Sequence, residues 1–158
     1  MFIIIFCLII KYKKGVSKMA NTRLSDTIHV LTYIAYFKDQ KITSQAMASS
    51  LQTSPSLVRK ILANLKRGGL VCPGQATTHV SLAKPAAEIT MRDIYRTLPD
   101  RGPLLNVDTK TNEDCPVGAA VPVALNRYYA EIQAAAEDRM ARITLQDILA
   151  DIALQNDR

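Results

Sequence analysis

The chain lacks most of the features that mark enzymes, secreted proteins and membrane proteins. Its three cysteines, Cys7, Cys72 and Cys115, lie far apart. There is no CxxC pair, and an odd count does not suggest a secreted disulfide framework. A reducing cytoplasm is therefore the expected setting. No Ser/His/Asp or Cys/His arrangement, no phosphate-cradling glycine loop and no metal-spaced cluster occurs, and His29 and His79 stand isolated. No catalytic residue and no metal site is expected. With 6 glycines and 7 prolines the chain is neither linker nor fibre. No internal repeat is visible.

Long apolar runs are also missing. The longest, MFIIIFCLII, has ten residues, whereas a spanning helix needs about 20. Lys11, Lys13 and Lys14 follow this run instead of preceding it, and no small-residue cleavage site comes after, so it does not read as a signal peptide. Residues 1–18 hold four lysines and no acid. Met19 then opens a segment that reads as an ordinary protein start. The expectation is that Met19 is the initiator and that 1–18 is an upstream leader, with no membrane partner.

What is present is a core and an uneven charge. Apolar residues make up 48% of the 158, enough to pack an interior. Residues 19–158 carry 16 basic against 14 acidic side chains. Residues 19–84 hold eight basic ones (Arg23, Lys38, Lys41, Arg59, Lys60, Lys66, Arg67, Lys84) against Asp26 and Asp39, whereas residues 85–158 hold eight against twelve. A basic half joined to an acidic half fits a polyanion-binding module attached to something else.

Helical spacing of Leu24, Ile28, Leu31 and Ala35 predicts a helix over 23–37. Thr43 is placed to cap a short helix over 44–50, with Met47, Ala48 and Leu51 facing inward. Ser54 caps a third helix, with Pro55 at its first position, where a missing N–H costs nothing. That helix runs to about residue 67 and stops at Gly68-Gly69. Val58, Ile61, Leu62 and Leu65 form its apolar stripe. A hairpin follows over 70–82, turning at Pro73-Gly74-Gln75. Thr90 caps a short helix to about 98, and residues 99–118 read as a long polar loop, a length that usually signals function or disorder. Pro122 is expected to open a long helix to about 143, and Thr144 to cap a last helix over 145–154. The fold class is mainly α with a small β-hairpin wing: a winged helix-turn-helix plus a long C-terminal helix. The division expected is 1–18 leader, 19–84 winged helix, 85–121 short helix and sensor loop, and 122–158 dimerisation and C-terminal helices.

In such a fold the third helix is the one that enters a DNA major groove, its N-terminal residues meeting base edges. Ser54 and Ser56 can bond phosphates or bases, and the helix N-terminus attracts phosphate. Arg59, one turn on, can form a bidentate contact with guanine. Lys60 and Lys66 suit phosphates, as does Lys41. Thr43, Ser44 and Gln45 can meet the backbone at the groove edge. Gln75, Thr77, Thr78 and His79 make a polar wing tip suited to the adjacent minor groove. The alternative is a winged helix that binds protein instead of DNA, and the polar, basic face of the third helix argues against it.

TSPSLVRKILANLKRGGLV, followed after the hairpin by SLAKPAAEITMRDIYRTL, resembles the Rrf-two family of bacterial winged-helix regulators. DCPVGAAV and the helix after it are similar to the YwnA-like branch of that family. The resemblance covers nearly all of 19–158. It implies a homodimer on a palindromic operator, usually repressing nearby genes, with Leu125, Tyr128, Ile132, Ala135 and Ile143 on the dimerising helix. Two recognition helices would then sit about one DNA turn, roughly 34 Å, apart, and a signal at the 99–118 loop would tilt them out of register. One departure matters. Cluster-binding members carry three closely spaced cysteines in this loop, and here there is only Cys115. An iron–sulfur cluster needs about four ligands, so no cofactor is expected. Cys115 and, in the wing, Cys72 remain as candidate redox sensors. Glu113 and Asp114 are expected to raise the Cys115 thiol pKa and blunt its reactivity.

Overall fold

The computed structural model describes residues 22–72, 80–99 and 101–156. The expected leader, 1–18, and the expected wing tip, with Gln75, Thr77, Thr78 and His79, lie outside the described residues, as does Cys7. The first helix, α1 (Arg23–Tyr36), turns Thr27, Val30, Leu31 and Ile34 inward, and the Thr27 hydroxyl donates to the Arg23 carbonyl at 2.6 Å. The second, α2 (Ser44–Leu51), starts where the Thr43 hydroxyl accepts from Ala46 N at 3.1 Å. It ends at Gln52, whose φ of 50° is left-handed. An L-residue pays roughly 1–2 kcal/mol there, and that sharp reversal sets the angle to the next helix.

That helix, α3 (Pro55–Arg67), follows the expected plan: Ser54 Oγ accepts from Leu57 N at 3.3 Å, and Val58, Ile61 and Leu65 are buried. Its end is a Schellman motif. Leu70 N donates to Leu65 O and Gly69 N to Lys66 O, both at 3.0 Å. Gly69 takes the φ of +69° this requires. Gly68 has a different constraint, since a Cβ there would stand 2.5 Å from Thr97 Cγ2. The strands β1 (Val71–Cys72) and β2 (Ser81–Leu82) pair antiparallel, Val71 opposite Leu82. Helix, helix, turn, helix, hairpin is the winged-helix order.

A 3-10 turn (Ala86–Glu88) leads to α4 (Met91–Arg96), opened by a capping box. Thr90 Oγ1 accepts from Asp93 N, and Asp93 Oδ2 accepts from Thr90 N, each at 3.1 Å. Lys84 Nζ lies 3.5 Å from the same carboxylate. Burial pushes the Asp93 carboxyl up, but the Thr90 hydrogen bonds and the Lys84 charge outweigh it, and the net shift is downward. A carboxylate with a lowered folded pKa adds stability above its unfolded value, about 3.9, and loses it as pH falls through the folded one. The difference in unfolding free energy between wild type and Asp93→Asn is therefore expected to be flat above pH ~4.5 and to shrink below pH ~3.9. Urea titrations across pH 2.5–7 check this; a difference that grows on acidification would contradict it.

Two expectations are corrected downstream. The long helix, α5 (Pro116–Met140), begins well before Pro122, which lies inside it. Gly118 stands at the end of the expected loop and Pro122 at the expected helix start, yet each has a structural reason to lie inside the helix. Pro122 cannot donate to the carbonyl four residues back, and that carbonyl, Gly118 O, accepts from Thr111 Oγ1 at 2.8 Å instead. Gly118 is packed so closely on the Asn112 carbonyl that a Cβ would collide with it. The helix also stops at Met140, so Ile143 lies in the connecting turn, where its carbonyl accepts from Met91 N at 2.8 Å.

The last helix, α6 (Leu145–Asn156), folds back onto α1 and the 3-10 turn. Leu145 N donates to Ile89 O at 2.8 Å, and Thr90 and Thr144 form a β-bridge. Leu145 is fully buried beside Leu31, Ile34, Met47, Leu65, Ile89 and Ile94. The winged-helix core is thus completed from the far end of the chain. By contrast, α5 buries none of its side chains.

Candidate nucleic-acid interface and sensor loop

The stripe that anchors α3 leaves the opposite face to solvent. Ser54, Ser56, Arg59, Lys60 and Lys66 are all exposed. The Ser54 and Ser56 hydroxyls bond each other at 2.9 Å while Ser54 also caps the helix, so Ser56 is the freer of the two to reach outward. No acid lies in the first turn of α3, and among the described residues Arg59, Lys60 and Lys66 have no acidic partner. Arg67 is different, its guanidinium bonding Asn64 Oδ1. Lys84, counted with the basic half, is committed to Asp93. The basic surface is therefore narrower than the charge count implies. Thr43 and Gln45 are exposed at the start of α2, and Ser44 is half-buried.

The segment before α5 is pinned by side chains that local sequence did not single out. Tyr95, buried on α4, donates from its hydroxyl to Gly102 O at 3.1 Å. Gln133, well along α5, accepts from Leu104 N at 2.9 Å and donates to Tyr95 Oη at 3.3 Å and to Glu137 Oε1 at 2.8 Å. These contacts span 29 and 38 residues, so no periodicity or cap pattern could have found them.

Cys115 and Cys72 are both exposed free thiols. Because α5 starts at Pro116, Cys115 occupies its N-cap position. Its sulfur makes no full capping hydrogen bond. The backbone N–H groups of Gly118 and then Val117 nonetheless hold the thiol below its ordinary pKa, against a weaker opposing effect of burial. The expected upward shift from Glu113 and Asp114 is thus reversed, and the early helix start is the reason: N-terminal amides favour a thiolate. Iodoacetamide labelling of Cys115, followed by peptide mapping across pH 6–10, should give a midpoint below the usual ~8.5. A midpoint at or above that value would restore the original expectation.

An HTH unit with an exposed basic recognition helix and an antiparallel wing defines a winged helix-turn-helix, the fold class of many transcriptional regulators. The family model for Rrf2, described as iron-dependent transcriptional regulators, matches residues 20–151. The chain belongs to the Rrf2 family. It is 31% identical over 131 residues to YwnA of Bacillus subtilis strain 168, named an HTH-type transcriptional regulator, covering 83% of this chain and 97% of that one. A crystal structure described as that of a DNA binding protein aligns with a TM-score of 0.63 at 30% identity, over 80% of this chain and 98% of its own. Staphylococcus aureus CymR shares the fold at a TM-score of 0.60 and 19% identity, covering 82% and 96%.

The family's description names iron, and the residues described here do not fit an iron centre held by one chain. The loop before α5 offers a single thiol, and Cys72 belongs to the wing. Among the described residues no three His, Cys, Asp or Glu side chains converge.

Proposed function

We propose that the protein is a sequence-specific DNA-binding regulator that acts as a homodimeric repressor in the cytoplasm. The exposed face of α3 carries this reading: Ser56, Arg59 and Lys60 point away from a fully packed stripe, beside a helix N-terminus free of acids. Arg59 reads a base, and Lys60, Lys66 and Lys41 hold phosphates. Thr43, Ser44, Gln45 and Ser54 meet the backbone, and Gln75, Thr77, Thr78 and His79 bring the wing tip to the minor groove. Dimerisation is supported by α5, which bears five of the ten exposed large apolar side chains among the described residues, Val117, Val121, Val123, Tyr128 and Ile132. Ala135 is exposed on the same helix and Leu125 is half-buried, and both belong to the proposed dimer contact. Among the described residues no helix is long and apolar enough to cross a membrane. The sensor is the loop before α5, with Cys115 as its redox-active group and Cys72 as a second thiol in the wing; no cluster takes part.

Selection from fragmented genomic DNA, followed by anisotropy titrations at 50–300 mM salt, tests the proposal. The expected result is a palindromic site holding two chains, with affinity falling steeply as salt rises. No fragment bound above the non-specific level would overturn it in favour of a protein-binding winged helix. A chain that stays monomeric on the site would overturn the dimer.

A further inference from the structure

A cavity of about 650 Å³ opens between α4, the segment around Gly102 and Pro103, and α5. It is lined by Tyr95, Arg96, Arg101, Gln133 and Glu137. This composition is unlike a packing defect, which would be apolar and small. Two guanidinium groups and one carboxylate border the space, and neither Arg96 nor Arg101 has an ion-pair partner among the described residues. Arg96 also edges a smaller depression containing Asp93 and Lys84, but there Asp93 is already held by Lys84 and the Thr90 cap. Glu137 is fixed by Gln133 Nε2 at 2.8 Å, which leaves its second oxygen available.

We propose that this cavity binds a small acidic amino acid, its two carboxylates on Arg96 and Arg101 and its ammonium on Glu137. The charge count is complementary: two cations and one anion on the protein face two anions and one cation on the ligand. Arginine forks match carboxylates bidentately, and an ion-paired ammonium selects amino acids over plain diacids. The site also lies where a ligand would act. Gln133 ties α5 to Leu104 and to Tyr95, and Tyr95 ties Gly102 to the winged helix. A ligand bridging Arg96 of α4 and Glu137 of α5 would change the preferred angle between the DNA-reading unit and the long helix. That regulatory part rests on the DNA-binding reading above; the binding part does not.

Calorimetry on the full chain without DNA separates the two. The probes are L-aspartate, L-glutamate, L-alanine, succinate and glutarate, each with wild type, Arg101→Gln and Glu137→Gln. L-Aspartate or L-glutamate is expected to bind at least tenfold more tightly than alanine or either diacid. Arg101→Gln should lose that binding, and Glu137→Gln should abolish the preference over the diacid while melting like wild type. Failure of both acidic amino acids to bind overturns the site. Equal binding of succinate, unaffected by Glu137→Gln, would reduce it to an anion site and overturn the assignment. If the amino acid binds but leaves operator affinity unchanged, the regulatory part fails and the binding part stands.

Discussion

Leu145→Ala should lower the folding free energy by about 2–5 kcal/mol, the range for truncating a buried leucine. Leu145 is fully buried in the winged-helix core, though it lies more than a hundred residues after α1 begins. Its backbone N–H bonds Ile89 O, and alanine keeps that bond, so the loss isolates the side chain. For a domain of this size each kcal/mol shifts Tm by roughly 2–4 °C. Urea denaturation of wild type and mutant supplies the comparison. A loss under ~1 kcal/mol would mean that α6 is peripheral. Leu154→Ala is the control, because that side chain near the end of the same helix is 64% exposed.

Arg59→Ala is expected to weaken operator binding by about 1–3 kcal/mol per half-site, the worth of a bidentate base contact. In a symmetric dimer the effect falls on both half-sites, so losses of about thirtyfold or more are expected. The base preference at one position of each half-site should relax as well. Arg59 is exposed and makes no ion pair among the described residues, so folding stability should stay within about ±0.5 kcal/mol of wild type. Lys60→Ala should behave differently. It should weaken all DNA sequences alike and flatten the salt dependence by about one unit of slope per contact. If Arg59→Ala reproduces the Lys60 pattern, Arg59 contacts phosphate and another residue reads the base.

The winged helix was legible because its signals are local. Thr43, Ser54 and Thr90 cap helices from their own sequence positions, and Gly68-Gly69 stops α3 as its Schellman geometry requires. The exposed face of α3 followed from the buried stripe of Val58, Ile61 and Leu65. Long-range choices were not legible. The hydrogen bond from Thr111 that lets Pro122 sit inside a helix cannot be inferred from either residue's neighbours. The same is true of α6 returning to α1, and of Gln133 reaching Tyr95 across 38 residues. The reversed pKa direction at Cys115 followed from the misplaced helix start, since acids beside the thiol mattered less than the amides after it.

The return of α6 also constrains how the molecule is made. Synthesis runs from the N-terminus, and α1 to α4 leave the ribosome before the residue that closes their core. Until Leu145 and Leu149 arrive, Ile89 O lacks the N–H it accepts from and the α1 surface beneath α6 is bare. A nascent chain arrested anywhere within α5 would therefore display Arg59 and Lys60 on an unfinished head. Only a chain that has already made its long helix can supply Leu145 to the core beneath α3. Translation order thus ties completion of the winged-helix core to synthesis of the whole of α5.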